Sequence, residues 1–214
     1  MSERLETLRR LIVDGQAKLA REACEAALGE GLPPVRILNE ALISAMDEVG
    51  RLYECGEYFV PEMLISVRAM KEALAVLKPR LQAADVKPAG RVVAGTVKGD
   101  LHDIGKNLVC MMLEGAGFEI RDLGVDVSPE RFVEVVKGGA DLLVLSALVS
   151  TTMPNMKATI AALVQAGLRE RVKVMVGGAP VTDKVAREYG ADGYAEDATA
   201  AVALARKLAN VSAA

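Results

Sequence analysis

The stretch GTVKGDLHDIGKN, Gly95 to Asn107, follows an apolar run and puts Asp100, Asp103 and the chain's single histidine, His102, between the glycines Gly99 and Gly105. Its outline is that of a phosphate-binding P-loop, but the parts do not fit. A P-loop sets four residues between its first glycine and Gly-Lys, then follows the lysine with Ser or Thr for magnesium. Here five residues separate Gly99 from Gly105, and Asn107 follows Lys106. The two acids would also face the phosphates that such a loop attracts. What the turn does offer is a metal ligand. A neutral imidazole supplies a nitrogen donor, and a carboxylate two residues earlier can take the other ring proton, fixing the tautomer and raising basicity. A loop histidine taken alone is more often a surface or hydrogen-bonded residue, so the case depends on where the fold places this one.

Two kinds of element surround the turn. Residues 3 to about 84 show helical periodicity only, with apolar stripes at Leu5, Leu8, Leu11 and Ile12, at Val35, Leu38, Leu42, Met46, Val49 and Tyr53, and at Met63, Val67, Met70, Leu74, Leu77 and Leu81. The joints fall at Asp14-Gly15, at Gly29 to Pro34 and at Gly56 to Pro61, and together they predict a four-helix bundle over residues 1–87. After LQAADVKPAG the pattern changes, with Pro88 to Gly90 as the linker. Strands are expected at 91–97, 118–123, 141–146, 172–177 and 193–195, alternating with helices at 104–116, 129–138, 153–167, 181–189 and 197–209. Nearly continuous apolar strands in βα units predict an α/β domain over 91–214, flavodoxin-like (Rossmann-like), with a five-stranded parallel sheet covered on both faces.

In such a sheet, ligands bind outside the carboxyl ends of the strands where strand order reverses. With the order 2-1-3-4-5, the loop carrying Asp100, His102 and Gly105 shares one mouth with SALVSTTMP, Ser146 to Pro154, and with Gly177-Gly178. That position favours a ligand reading of His102. Plainer roles stand beside it for the others: Ser146 and Thr152 could cap the next helix, and Gly177-Gly178 could be a tight turn. The methionines at 46, 63 and 70 read as core, and Lys98 and Lys106 as solvated, with a cation near a ligand phosphate as the alternative.

Composition narrows the partners. The 214 residues carry 26 basic and 29 acidic side chains, a formal net charge of −3, well mixed along the chain, which predicts neither a nucleic-acid face nor a membrane patch. Cys24, Cys55 and Cys110 have no paired spacing and read as reduced core thiols. The charged start MSERLETLRR and the lack of a run approaching roughly 20 apolar residues give a cytoplasmic expectation.

DLHDIG, then SAL, then GG, at the spacing from Gly105 to Ser146 and from Leu148 to Gly177, resembles the cobalamin-binding module shared with methionine synthase. VGRLYECGEYFVPEMLISVRAMKEAL, Val49 to Leu74, resembles the helical cap of the same module, so the resemblance covers nearly the whole chain. SALVSTTMP and GGAPVTDK look like the free-standing corrinoid proteins of three-component methyltransferase systems. The resemblance implies cobalamin or a related corrinoid bound base-off, with His102 as lower axial ligand on cobalt and Asp100 behind it. Thr152 stands where methionine synthase has the serine that completes the relay. Ser146, Leu148, Gly177 and Gly178 would line the slot for the nucleotide tail, Gly105 would admit it, and Asp103 joins them as a cofactor contact. Tyr53, Phe59 and Val60 match the segment that shields the upper face, although family patterns often carry Phe and Leu where Tyr53 and Val60 stand.

The implied function is a corrinoid methyl carrier. Cobalt(I) takes a methyl group through a substrate:corrinoid methyltransferase, and methylcobalt(III) surrenders it through a second methyltransferase to a folate or thiol acceptor. A reductive activating protein is the further partner implied. No turnover is expected from the chain alone. Release and protonation of His102 in the cobalt(I) state, with Asp100 facing the imidazolium, is part of the same expectation. Rival readings are a cobalamin-dependent regulator, for which no basic recognition helix is visible, and the small subunit of an adenosylcobalamin mutase, which normally lacks the cap. A corrinoid-free flavodoxin-like interaction domain is a third.

Overall fold

A computed structural model of the chain describes residues 2–84 and 87–210. Asp85 and Val86, within the stretch where the sequence pattern changes, lie outside the described residues, as do the first and the last four positions of the two expected domains. The chain divides into two compact units, the first comprising residues 1–87 and grouped with 115–117, the second most of the chain from Pro88 onward.

The first unit is helical. Its elements are α1 (Glu3–Val13), α2 (Ala17–Gly29), α3 (Pro34–Ile37), a π-helical segment (Leu38–Ile43), α4 (Ser44–Glu54) and α5 (Val60–Ala83). α3, the π segment and α4 run on as the third helix of the expected bundle. Ser2 caps α1 by accepting from Leu5 N, and Pro61 sits in the first turn of α5. The joint after α1 needs glycine twice over: Gly15 has φ +69°, and a Cβ there would lie 2.7 Å from Ile65 Cγ1. Leu5, Leu8, Ile12, Met46, Val49, Met63, Val67, Met70 and Leu77 are buried as expected. The third helix differs at its ends. Val35 is exposed and Tyr53 only half-buried, while Ile37 and Leu52 are buried in their stead. The wider π turn rotates the face that a uniform helical period assigns. Cys24 and Cys110 are buried, and burial pushes the Cys24 thiol up to about 11. Cys55 corrects the expectation of core thiols: it follows the last turn of α4 and is exposed.

The second unit is a parallel sheet of β1 (Arg91–Thr96), β2 (Glu119–Asp122), β3 (Leu142–Ser146), β4 (Lys173–Gly177) and β5 (Gly193–Tyr194) in the order β2-β1-β3-β4-β5. The helices α6 (Ile104–Gly115), α7 (Pro129–Lys137), α8 (Pro154–Gln165), α9 (Asp183–Tyr189) and α10 (Ala198–Leu208) alternate with the strands. The central strands are buried along their length at Val92 to Ala94, Leu142 to Leu145 and Val174 to Val176. This is the continuous apolar pattern of a sheet covered on both faces. Gly95 gives room for Phe132, whose ring would sit 2.8 Å from a Cβ there. Register sets Thr96 beside Ser146 and Ser146 beside Gly177, so the carboxyl ends of β1, β3 and β4 stand level. The loops that follow them therefore open from one edge, at the reversal between β1 and β3.

Candidate functional site

The center of that edge is a buried acid. Asp100 has a fully buried side chain, and each of its oxygens is occupied. Oδ1 accepts from His102 N at 3.0 Å and faces His102 Nδ1 at 3.0 Å. Oδ2 accepts from Leu148 N at 2.8 Å, from Val149 N at 3.2 Å and from the Thr152 hydroxyl at 2.7 Å. Burial by itself would push this carboxyl up. The Thr152 hydroxyl, the His102 and Leu148 amides and the His102 ring outweigh it and hold Asp100 well below the usual carboxylate range. The acid is therefore an anion in a cage of donors.

That charge fixes the histidine. A carboxylate only accepts, so His102 Nδ1 carries a ring proton, and in the neutral ring the lone pair then falls on Nε2. Nε2 makes no hydrogen bond to a described residue, and the side chain is 56% exposed. The main chain is held from the other side, because the Thr96 hydroxyl donates to His102 O at 2.8 Å. Amide, carbonyl and Nδ1 are all fixed while one nitrogen is left open to a ligand.

The other expected residues fall around this pair. Thr152 does not cap α8, whose cap residue Met153 makes no side-chain bond; its hydroxyl goes to Asp100 and Val149 O instead. Ser146 ends β3, and its hydroxyl bonds to no described residue. Leu148 contributes its amide to Asp100 and leaves its side chain 43% exposed. Asp103 precedes α6 and accepts from the Asn107 side chain at 3.0 Å. Lys106 corrects the expectation of a solvated cation. It is buried, 2.5 Å from Asp122 Oδ2 and 2.8 Å from Asn107 Oδ1, and ties α6 to β2.

Three observations test whether the site fits a corrinoid. First, His102 presents one ring nitrogen while Asp100 takes the other. A single open imidazole suits a metal whose other ligands come with it, as in a corrin ring. Second, Leu101 beside His102, Ile104 at the first position of α6, and Leu148 and Val149 in the loop after β3 leave apolar side chains exposed, Ile104 at 83%. Such a collar suits the underside of a macrocycle. Third, Gly105 has no positive φ, and a Cβ there would meet nothing within 4 Å, so neither strain nor packing in this chain requires a glycine. Gly178 differs, since its φ is +129° and a Cβ would lie 1.9 Å from Ala147 O. Gly177 is intermediate, with 3.1 Å to Ala195 O. The residues fit the group.

Tyr53, Phe59 and Val60 lie in the helical unit, where α4 ends and α5 begins. Phe59 is 65% exposed and its amide donates to Glu62 Oε2; Val60 is 39% exposed. Sequence reading missed Thr96 and the amide pair of Leu148 and Val149. A threonine closing the apolar run Val92 to Gly95 was the signal for the first. Backbone donors leave no such signal.

The chain matches B12 binding domain families over residues 90–203 and over residues 4–78. It is 43% identical to dimethylamine corrinoid protein 1 of Methanosarcina acetivorans, over 96% of this chain and 97% of that protein. With trimethylamine corrinoid protein 1 of the same organism it shares 42% identity over 92% of this chain and 93% of the relative. The solved methanol:cobalamin methyltransferase complex MtaBC of Methanosarcina barkeri aligns with a TM-score of 0.88 at 30% identity, over 99% of this chain and 81% of that one.

Proposed function

The chain belongs to the B12-binding family, among the corrinoid proteins of methyltransferase systems, and from that premise we propose that it carries methyl groups between two partner enzymes with His102 as the lower ligand on cobalt. When bound, the corrinoid supplies a reducible metal centre that can take up and release a methyl group. This chain's residues do the holding. His102 Nε2 offers the lone pair, and Asp100 Oδ1 keeps the ring proton on Nδ1. The same contact would keep the ring aimed at the metal when the corrinoid is held. Thr152, with the amides of Leu148 and Val149, keeps that carboxylate ionised and in place.

Leu101, Ile104, Leu148 and Val149 give the macrocycle an apolar bed and keep water from beneath it. Gly105, Ser146, Leu148, Gly177 and Gly178 take the nucleotide tail of a base-off cofactor, and Asp103 holds the start of α6 at the same edge. A substrate:corrinoid methyltransferase delivers the methyl group. A methylcorrinoid:acceptor methyltransferase passes it to a folate or a thiol, and a reductive activating protein restores the carrier. The names of the relatives and of the MtaBC complex support this division of labour.

The single observation that carries the reading is the exposed His102 whose Nδ1 is pinned by a fully buried, ionised Asp100. The test uses the full chain loaded with methylcobalamin bearing a radiolabelled methyl group. The label is expected to stay on the protein alone and to move to tetrahydrofolate or a thiol only when an acceptor methyltransferase is added. Transfer without a second enzyme, or retention of an adenosyl but not a methyl form, would overturn it.

A further inference from the structure

We infer that Asp126, in the loop between β2 and α7, is a positioning residue for the His102 ligand, acting through the Gly99-Asp100 backbone. The inference rests on His102 being the cobalt ligand. Its starting point is an unusual backbone. Asp126 has φ +54°, and the only other non-glycine residue with positive φ among those described is Asn210, at their far end. Aspartate tolerates this region, but glycine enters it with no steric cost. Gly124, two residues earlier, already does so at φ +82°. A turn by itself would be served better by a second glycine, so the side chain needs its own reason.

The reason is a grip on two points. Asp126 Oδ1 accepts from Gly99 N at 2.7 Å, and Asp126 N donates to Asp100 O at 3.0 Å. One residue thus holds the amide of Gly99 and the carbonyl of Asp100 from the same side. The flanking bonds, Thr96 N to Gly124 O and Val127 N to Thr96 O, both at 3.0 Å, lay this segment along the end of β1. Gly99 itself has φ +80° and, lacking a side chain, has the freest backbone of the loop. Pinning it sends the Asp100 carboxylate under the loop after β3, where Leu148, Val149 and Thr152 receive it, and brings Oδ1 to His102 Nδ1. Both hydrogen bonds of Asp126 go to the Gly99-Asp100 backbone and neither to the His102 ring, so its influence runs through Asp100.

Two variants separate this role from a plain turn. Asp126→Gly keeps the backbone conformation and removes the carboxylate; Asp126→Asn keeps an oxygen that can accept from Gly99 N. In the full chain without cofactor, hydrogen exchange of the Leu148 and Val149 amides reads the grip on Asp100. With cobinamide, a corrinoid that has no nucleotide base of its own, electron paramagnetic resonance of the cobalt(II) form reads nitrogen ligation by His102. Asp126→Gly is expected to melt no lower than wild type, yet to exchange those amides faster and bind cobinamide about three- to tenfold more weakly, with a smaller nitrogen-coupled fraction. Asp126→Asn is expected to restore all three readouts. Wild-type exchange and binding in Asp126→Gly would overturn the inference, as would failure of Asp126→Asn to rescue. A melting temperature lowered in proportion to lost binding would assign Asp126 to the fold instead. Absence of nitrogen coupling in the wild type would sink the ligand reading alone, and the exchange arm would still decide whether Asp126 holds Asp100.

Discussion

Thr152 Oγ1 lies 2.7 Å from Asp100 Oδ2 across 52 positions of sequence, joining the loop after β1 to the loop after β3. The same hydroxyl is 2.7 Å from Val149 O, and it has one proton for two acceptors. The ionised carboxylate is the stronger acceptor. Thr152→Val should therefore cost about 1.5–3 kcal/mol of folding stability, the range for a hydrogen bond to a charged group. Thr152→Ser should keep most of it. Urea unfolding of both variants, followed by circular dichroism, checks the difference.

The cage around Asp100 gives its contribution a direction in pH. The folded carboxyl is held below its ordinary range, so the unfolded chain takes up protons first as pH falls. Stability from this group is present in full above the unfolded carboxyl range near about pH 4 and is lost as pH drops below it. Asp100→Asn sets an amide N–H against either the His102 or the Leu148 donors. The variant should be roughly 2–3 kcal/mol less stable at neutral pH. Its deficit should narrow in acid, which a stability series from neutral pH down to about pH 3 would show.

Two glycines of the site should respond in opposite ways. Gly105→Ala meets no atom of the chain and lies in the first turn of α6, so folding should be unchanged or improved by up to about 1 kcal/mol. Its corrinoid affinity should nevertheless fall about tenfold or more if, as proposed, the open space at Gly105 admits the nucleotide tail. Gly178→Ala must move Ala147 O and hold φ +129°, so it should destabilise the cofactor-free chain by about 2 kcal/mol or more. Melting curves with and without corrinoid distinguish the two.

The Lys106–Asp122 pair should be asymmetric. Asp122 is 38% exposed and can return to water, whereas Lys106 is only 1% exposed. Lys106→Met should be tolerated with a modest loss. Asp122→Ala should cost about 3 kcal/mol or more, because it leaves a buried ammonium with only the Asn107 side chain to answer its charge. Chemical denaturation of the two variants at one pH decides the order.

Much of the site was legible because its parts obey local rules. Continuous apolar strands such as Leu142 to Leu145 declare a covered sheet, and an acid two residues before a lone histidine is a short-range pattern. What stayed hidden depends on contacts distant in sequence. Leu148 and Val149 bind Asp100 through amides that any residue possesses. Asp126 is one acid among many until its φ and its bond to Gly99 are seen. Lys106 looks solvated because nothing near it in sequence reveals Asp122 across the first βα unit. In the helical unit, the π segment at Leu38–Ile43 changes which residues face inward, and the spacing of apolar positions does not announce such a change.

The lower ligand itself can be read directly, because the chain has a single histidine. Protein grown with nitrogen-15 histidine, loaded with cobalamin of natural isotopic content and reduced to cobalt(II), should show each cobalt line in its electron paramagnetic resonance spectrum split into two by one nitrogen-15 nucleus. A three-fold splitting unchanged by the label would place the cofactor's own base on the metal and contradict ligation by His102.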